Sequence, residues 1–274
     1  MRYVVSFDFW LSNTHPCLVH RWLCVRAGIL HRDLSLSNIM VRTVERKNEA
    51  GNVMKKVYGV LNDFDISLWT GDLKDYTKMS PHLTKGTIPF MAYELLWNRT
   101  DVLPMYRHDL EALLYNILVL VTNYEIRPPT EEDGGGLRRR QELTELPCEE
   151  WFSTPSHGAV GCSKRSFFTS SEHFDLNPSF EGFRGWLQDL RLSFRQGIRA
   201  KDTREDIFIL PSSDTLRRRL REVAAVFDYE TLGGFVDYST LIDPVRTLKG
   251  DLEGLVIRYV DPSPPISTEV DSGR

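Results

Sequence analysis

Several features that would quickly assign this chain to a class are missing from it. Charge of one sign is not in excess: 34 Lys and Arg face 38 Asp and Glu, for a formal net charge of −4. Neither nucleic acid nor an anionic membrane surface therefore has a general electrostatic footprint to bind. No Cys-x-x-Cys pair exists. Cys17, Cys24, Cys148 and Cys162 are scattered, so reduced, packed thiols in an intracellular compartment, cytoplasmic or nuclear, are expected rather than a disulfide framework. His15, His20, His82, His157 and His173 lack metal-ligand spacing. The longest apolar run, Leu110–Val121, carries Glu111 and Asn116 and is too short to span a bilayer. The first ten residues are apolar but broken by Asp8, which excludes the uninterrupted core of a signal peptide. A Gly-x-Gly-x-x-Gly phosphate loop is also lacking, since no strand leads into Gly134-Gly-Gly136.

What is present is an ordinary globular composition, 41% hydrophobic and 26% charged. A helix is expected over 18–30 from Val19, Leu23, Val25 and Ile29. Asn38–Arg42 and Val57–Leu61 read as a hairpin with a long polar loop over 45–56. The strongest helical period is over 107–123, where Leu110, Leu113, Leu114, Ile117, Leu118 and Val121 make the helix apolar around most of its circumference and hence buried. Residues 125–165 read as a surface insertion. Two more helices are expected, one through Phe180, Phe183, Leu187, Leu190 and Phe194, the other through Leu216, Leu220, Val223 and Phe227. The tail over 261–274 reads as disordered.

The chemistry concentrates in Ile29-Leu-His-Arg-Asp-Leu-Ser-Leu-Ser-Asn-Ile. Phosphoryl transfer needs positioning and charge neutralisation more than covalent chemistry. A carboxylate, Asp33, can take the proton of an attacking hydroxyl, and an amide oxygen five residues on, Asn38, can hold magnesium. Val60-Leu-Asn-Asp-Phe-Asp65 ends an apolar strand on a second metal-binding carboxylate, Asp63. Next come Gly86-Thr-Ile-Pro-Phe-Met-Ala-Tyr-Glu94-Leu-Leu and, before the buried helix, His108-Asp109-Leu-Glu.

In this order the four segments resemble the catalytic loop, metal segment, docking segment and central helix of protein kinases, and specifically the fungal-type protein kinases. Glu149-Glu-Trp-Phe, Ser163-Lys-Arg-Ser-Phe and Tyr229-Glu-Thr-Leu-Gly-Gly extend the resemblance over about residues 18–240. It implies an α+β, mainly helical fold: a protein kinase-like large lobe over 18–260 with small β-hairpins around the catalytic loop. Residues 1–17 lie outside the resemblance as an atypical segment.

The implied activity is ATP-dependent phosphorylation of protein Ser/Thr hydroxyls, with ATP and Mg2+ as cofactors and a protein substrate. Asp33 is the base, Asn38 and Asp63 hold the metal, and Thr87 docks beside Asp33. Ser35 stands where Ser/Thr kinases usually carry lysine. Arg32 is placed to meet a phosphate on Tyr76, Thr77, Ser80 or Thr84. His31 is expected to pack rather than react, Asp109 to receive backbone hydrogen bonds from the catalytic loop, and Glu94 to pair with a buried arginine that the sequence alone does not pick out.

Asp65 departs from the glycine of the metal segment. Only 30 residues precede the catalytic loop, too few for a small lobe, so that lobe is expected to be largely absent. A weak or inactive chain and an exposed apolar face follow. Two other readings remain open: a pseudokinase-like interaction module, and a small-molecule phosphotransferase, which the docking segment disfavours.

Overall fold

The arrangement was read from a computed structural model, which describes residues 14–47, 53–71, 85–97, 102–127, 136–139, 148–154, 156–170, 175–209 and 227–247. The helix expected over 216–227, the phosphate-acceptor candidates Tyr76, Thr77, Ser80 and Thr84, and the tail over 261–274 lie outside these residues, apart from Phe227.

The chain is mainly helical, and the β structure of the described residues consists of three two-stranded sheets. At the centre is the expected buried helix, Tyr106–Asn123, here called α3 because two shorter helices precede it. Every residue from Arg107 to Asn123 is buried. Its polar members each make at least one hydrogen bond there, although His108 Nε2 and Asn116 Oδ1 find no hydrogen-bond partner among the described residues. Asn116 Nδ2, for example, donates to Leu34 O at 3.0 Å and to Ala112 O at 2.7 Å. At the N-terminus His108 Nδ1 accepts from Met105 N–H at 3.1 Å, and the His108 amide donates back to Met105 O at 3.0 Å. This exchange satisfies backbone groups that a helix start leaves open.

Around α3 lie α1 (Thr14–Trp22), a π-helical turn (Leu23–Ala27), and the short strands β1 (Ile29–Leu30) and β4 (Leu68–Trp69), paired antiparallel. The helix expected over 18–30 therefore ends early. Gly28 closes it at φ +65 with its N–H on Leu23 O, a left-handed cap that glycine adopts without strain. The buried face is also not the one inferred: Val19 and Val25 are exposed, while Cys17 and His20 point inward.

Strands β2 (Ile39–Lys47) and β3 (Val53–Leu61) form the hairpin with Ile39 opposite Leu61. The ladder extends to Lys47–Val53, well into the stretch read as loop. The register places Glu45 opposite Lys55.

The surface insertion read over 125–165 is corrected. Strands β5 (Tyr124–Arg127) and β6 (Gly136–Arg139) pair at its start. Its second half builds α4 (Glu149–Ser153) and the beginning of α5 (His157–Thr169), with Cys148, Trp151, Val160 and Lys164 buried. Ser156 caps α5 by accepting from Ala159 N–H. The next expected helix is found as a 3-10 turn (Pro178–Phe183) running into a long helix. The intervening short helix of the docking segment is α2 (Tyr93–Leu96), the long helix is α6 (Arg184–Ile209), and α7 is Tyr238–Thr247. Phe180, Phe183, Leu187, Leu190 and Phe194 are all buried, as the period implied. All four cysteines are free. Among the described residues no helix is long and apolar enough to cross a membrane.

Candidate active site

The catalytic loop is held from beneath by one carboxylate. Asp109 Oδ2 accepts from the His31 amide at 2.8 Å, and Oδ1 from the Arg32 amide at 3.0 Å. Arg32 has φ +70, a left-handed conformation that costs a non-glycine residue about 1–2 kcal/mol. Two amide bonds to a charged acceptor offset that cost.

Asp109 is itself partnered by His20, whose Nε2 lies 2.7 Å from Oδ2. Burial works against a charged imidazole there, but the charge and hydrogen bond of Asp109 outweigh it and raise His20 to about 9. The imidazolium thus donates from Nε2 to Asp109 and from Nδ1 to Tyr238 Oη at 2.9 Å. Burial likewise disfavours the Asp109 carboxylate, and His20 reverses this, holding it below the usual range.

His31 is fully buried, with its ring 4.7 Å from that of Phe64. Burial lowers its pKa, so the ring is neutral. It donates from Nε2 to Asn62 O at 3.0 Å, while Nδ1 accepts the longer 3.4 Å contact from the Asp33 amide. This is a packing role that ties the loop to the start of the metal segment.

Asp33 faces the docking segment. Its Oδ1 accepts from the Thr87 amide at 2.8 Å and from Thr87 Oγ1 at 2.7 Å. Asn38 Nδ2 donates to Asp33 O at 2.8 Å and to Oδ2 at 3.1 Å. Three of the residues singled out in the sequence therefore meet directly. Ser35 does not join them: it is buried, and its hydroxyl pairs with Ser37 Oγ at 2.8 Å. Arg32 is half-buried, and the residues proposed to carry its phosphate partner lie outside the described part.

Asp63 stands exposed at the end of β3 with φ +63, a region aspartate enters more readily than most residues. The Asn62 amide donates to Asn38 O at 2.9 Å, which joins the two expected metal-binding segments through their backbones. Asp65 is not among the residues with positive φ, so the aspartate in place of glycine meets no backbone strain in this conformation. Among the described residues no group of three or more His, Cys, Asp or Glu side chains is placed to hold a metal. The donor set that fits is smaller. Asn38 turns its amide nitrogen toward Asp33, and among the described residues its Oδ1 receives one contact, from Ser37 Oγ at 3.4 Å. One amide oxygen plus the Asp63 carboxylate suits Mg2+, which keeps several waters and takes its remaining ligands from phosphates.

The arginine left open by the sequence is Arg107. Its Nη2 lies 2.7 Å from Glu94 Oε2, with both side chains 2% exposed, and its Nε donates to Tyr229 O at 2.7 Å. Lys201 Nζ adds a contact at 3.4 Å to Glu94 Oε1. Burial opposes ionisation of Glu94, but His108 and Arg107 hold it well below the ordinary carboxylate range. His108 is buried beside Arg107, which lowers its pKa to about 4; its neutral ring stands 3.7 Å from Glu94.

Sequence reasoning missed His20, Glu111 and Lys164. His20 had a signal, since Cys17, His20 and Cys24 share one helical stripe. Lys164 had none, standing beside the similar but partly exposed Arg165.

Asp33 thus bonds Thr87 and an asparagine five residues on, and its loop is anchored to the central helix through Asp109. Residues 17–121 match the family described as fungal protein kinase, which supports a kinase-like domain in this segment. No curated protein and no solved structure matches the chain.

Proposed function

We propose that this domain acts as a protein kinase large lobe, transferring the terminal phosphoryl group of ATP to a protein Ser/Thr hydroxyl. The observation that carries this reading is the junction at Asp33, where Thr87 and Asn38 both bond its carboxylate. Thr87 takes up both acceptor positions of Oδ1, whereas among the described residues Oδ2 receives the single 3.1 Å bond from Asn38. A carboxylate oxygen has two acceptor positions. Oδ2 is therefore the atom that would take the proton of an incoming hydroxyl as its oxygen bonds to phosphorus and the bond to ADP breaks. Thr87 fixes the orientation of the carboxylate and keeps the docking segment against it. Asn38 and Asp63 would hold Mg2+, which neutralises charge on the phosphates. Arg32 would meet a phosphate in the activation segment, and Ser35, bonded to Ser37, would support the loop rather than touch substrate.

The pseudokinase reading draws on the same junction, because a base already accepting three hydrogen bonds can serve as a structural strut. The two are separated by Mg2+-dependent ATP binding and transfer to a Ser/Thr peptide array. The kinase reading expects binding that Asp63→Ala abolishes. It also expects transfer that Asp33→Asn removes by about 100-fold or more with ATP binding kept. A folded protein that binds no ATP at millimolar concentration would reject it in favour of an interaction module.

A further inference from the structure

Helix α5 packs against the docking segment, and one of its side chains there, Lys164, is fully buried. Its Nζ donates to Ile88 O at 3.0 Å and to Met91 O at 2.6 Å, the carbonyls of the first residue of the Ile88–Phe90 turn and of the residue that ends it. The ammonium also lies 4.3 Å from the centre of the Tyr115 ring and 5.3 Å from that of Trp151, within cation–π range. Tyr115 in turn donates to Glu111 Oε1, which also accepts from the Tyr93 amide at 2.7 Å.

The approach of α5 depends on Gly161, one turn before Lys164. A Cβ there would stand 2.9 Å from Trp97 and 3.1 Å from Tyr93 O. Burial pulls the Lys164 ammonium down to about 7, with the charge of Glu111 opposing that fall. A lysine is an expensive way to fill this space; what it adds over an apolar residue is two directed donors.

We propose that Lys164 is a positioning residue for the docking segment: by clamping the Ile88 and Met91 carbonyls it holds Thr87 in register with Asp33. Asp33 holds Thr87 directly and Lys164 holds the Ile88 and Met91 carbonyls that follow it, so that loss of the lysine loosens the turn on which the register of Thr87 depends. Lys164 lies beyond the segment matched by the family. Its effect on phosphoryl transfer rests on the kinase reading above, while the clamp itself does not.

The test compares the full chain with Lys164→Met, which keeps the length of the side chain without the donors. Ser156→Ala serves as control, because it weakens the cap of the same helix without touching the clamp. Hydrogen exchange should show the Phe90 and Met91 amides, both bonded to Thr87 O, losing protection by tenfold or more in Lys164→Met, with α3 unchanged. In the transfer assay KM for peptide should rise tenfold or more while KM for ATP stays within twofold. Ser156→Ala should change neither. A folded Lys164→Met with wild-type exchange at residues 87–91 overturns the clamp, as does equal loosening in Ser156→Ala. Altered exchange in Lys164→Met, with a wild-type protein that transfers no phosphate, keeps the clamp and discards the kinase reading. An unchanged peptide KM in an active enzyme overturns the positioning role.

Discussion

Replacing Asp109 with asparagine should destabilise the fold by an amount that depends on pH in a defined way. His20 is raised from 6.5 to about 9 by this carboxylate. Because the folded-state value is the higher one, the stabilisation is complete below pH 6.5 and is lost as the pH climbs through about 9. Linkage makes that proton worth about 3 kcal/mol at pH 6, about 1 kcal/mol at pH 8 and almost nothing above pH 9. The amides of His31 and Arg32 also lose a charged acceptor. Asparagine keeps one carbonyl oxygen for them, so this pH-independent part is about 2 kcal/mol. The wild-type-minus-variant difference should therefore fall from about 5 kcal/mol at pH 6 toward about 2 kcal/mol at pH 9. Urea unfolding followed by tryptophan fluorescence at pH 6, 7, 8 and 9 measures it, provided both proteins give equal m-values. A difference that stays level across the range would refute the charged His20–Asp109 pair, whatever its absolute size.

Gly161→Ala should cost about 1–3 kcal/mol, read as a lowered melting temperature, because its Cβ would meet the Trp97 ring at 2.9 Å and Tyr93 O at 3.1 Å; an unchanged value would mean that α5 can step back without cost. Arg107→Met should cost about 3–5 kcal/mol by stranding a buried Glu94, with the nearby Lys201 drawing the loss to the lower end. The double variant Glu94→Gln/Arg107→Met should cost clearly less than the two single changes added, and strict additivity in a double-mutant cycle would deny the pair its coupling.

Most of the candidate site could be read in the sequence because its parts are local. The five-residue spacing of Asp33 and Asn38 lies within one loop, and Asn38 does bond Asp33 at both its carbonyl and its carboxylate. The Thr87–Asp33 bond was legible only through the order of the motifs. The buried helix over 107–123 was readable since a segment apolar on all sides has few other destinations. The partners that stabilise charge were not legible. Arg107 and Lys201 look like any other basic residue until the fold surrounds them, and His20 needed the correct face of a short helix. Residues 148–165 misled for a related reason. Their buried Trp151, Val160 and Lys164 are spaced among serines, glycines and charges, which locally resemble a solvated loop. What buries them is the docking segment, more than fifty residues away in the chain.

Glu94 ties together parts of the chain that are made at very different times. Its partner Arg107 is positioned by Tyr229 O, and Lys201 completes the cluster; His20 similarly awaits Tyr238. Residues 94 and 229 are 135 positions apart, an interval of about 7 to 27 s on a ribosome adding roughly 5–20 residues per second. Early in that interval Asp33, Thr87 and Asp109 are all made, while Arg107 still lacks the Tyr229 carbonyl and His20 still lacks Tyr238. A nascent chain of this domain can therefore bring the Asp33 junction together early, but the buried charges beneath it are completed only when nearly the last described helix emerges.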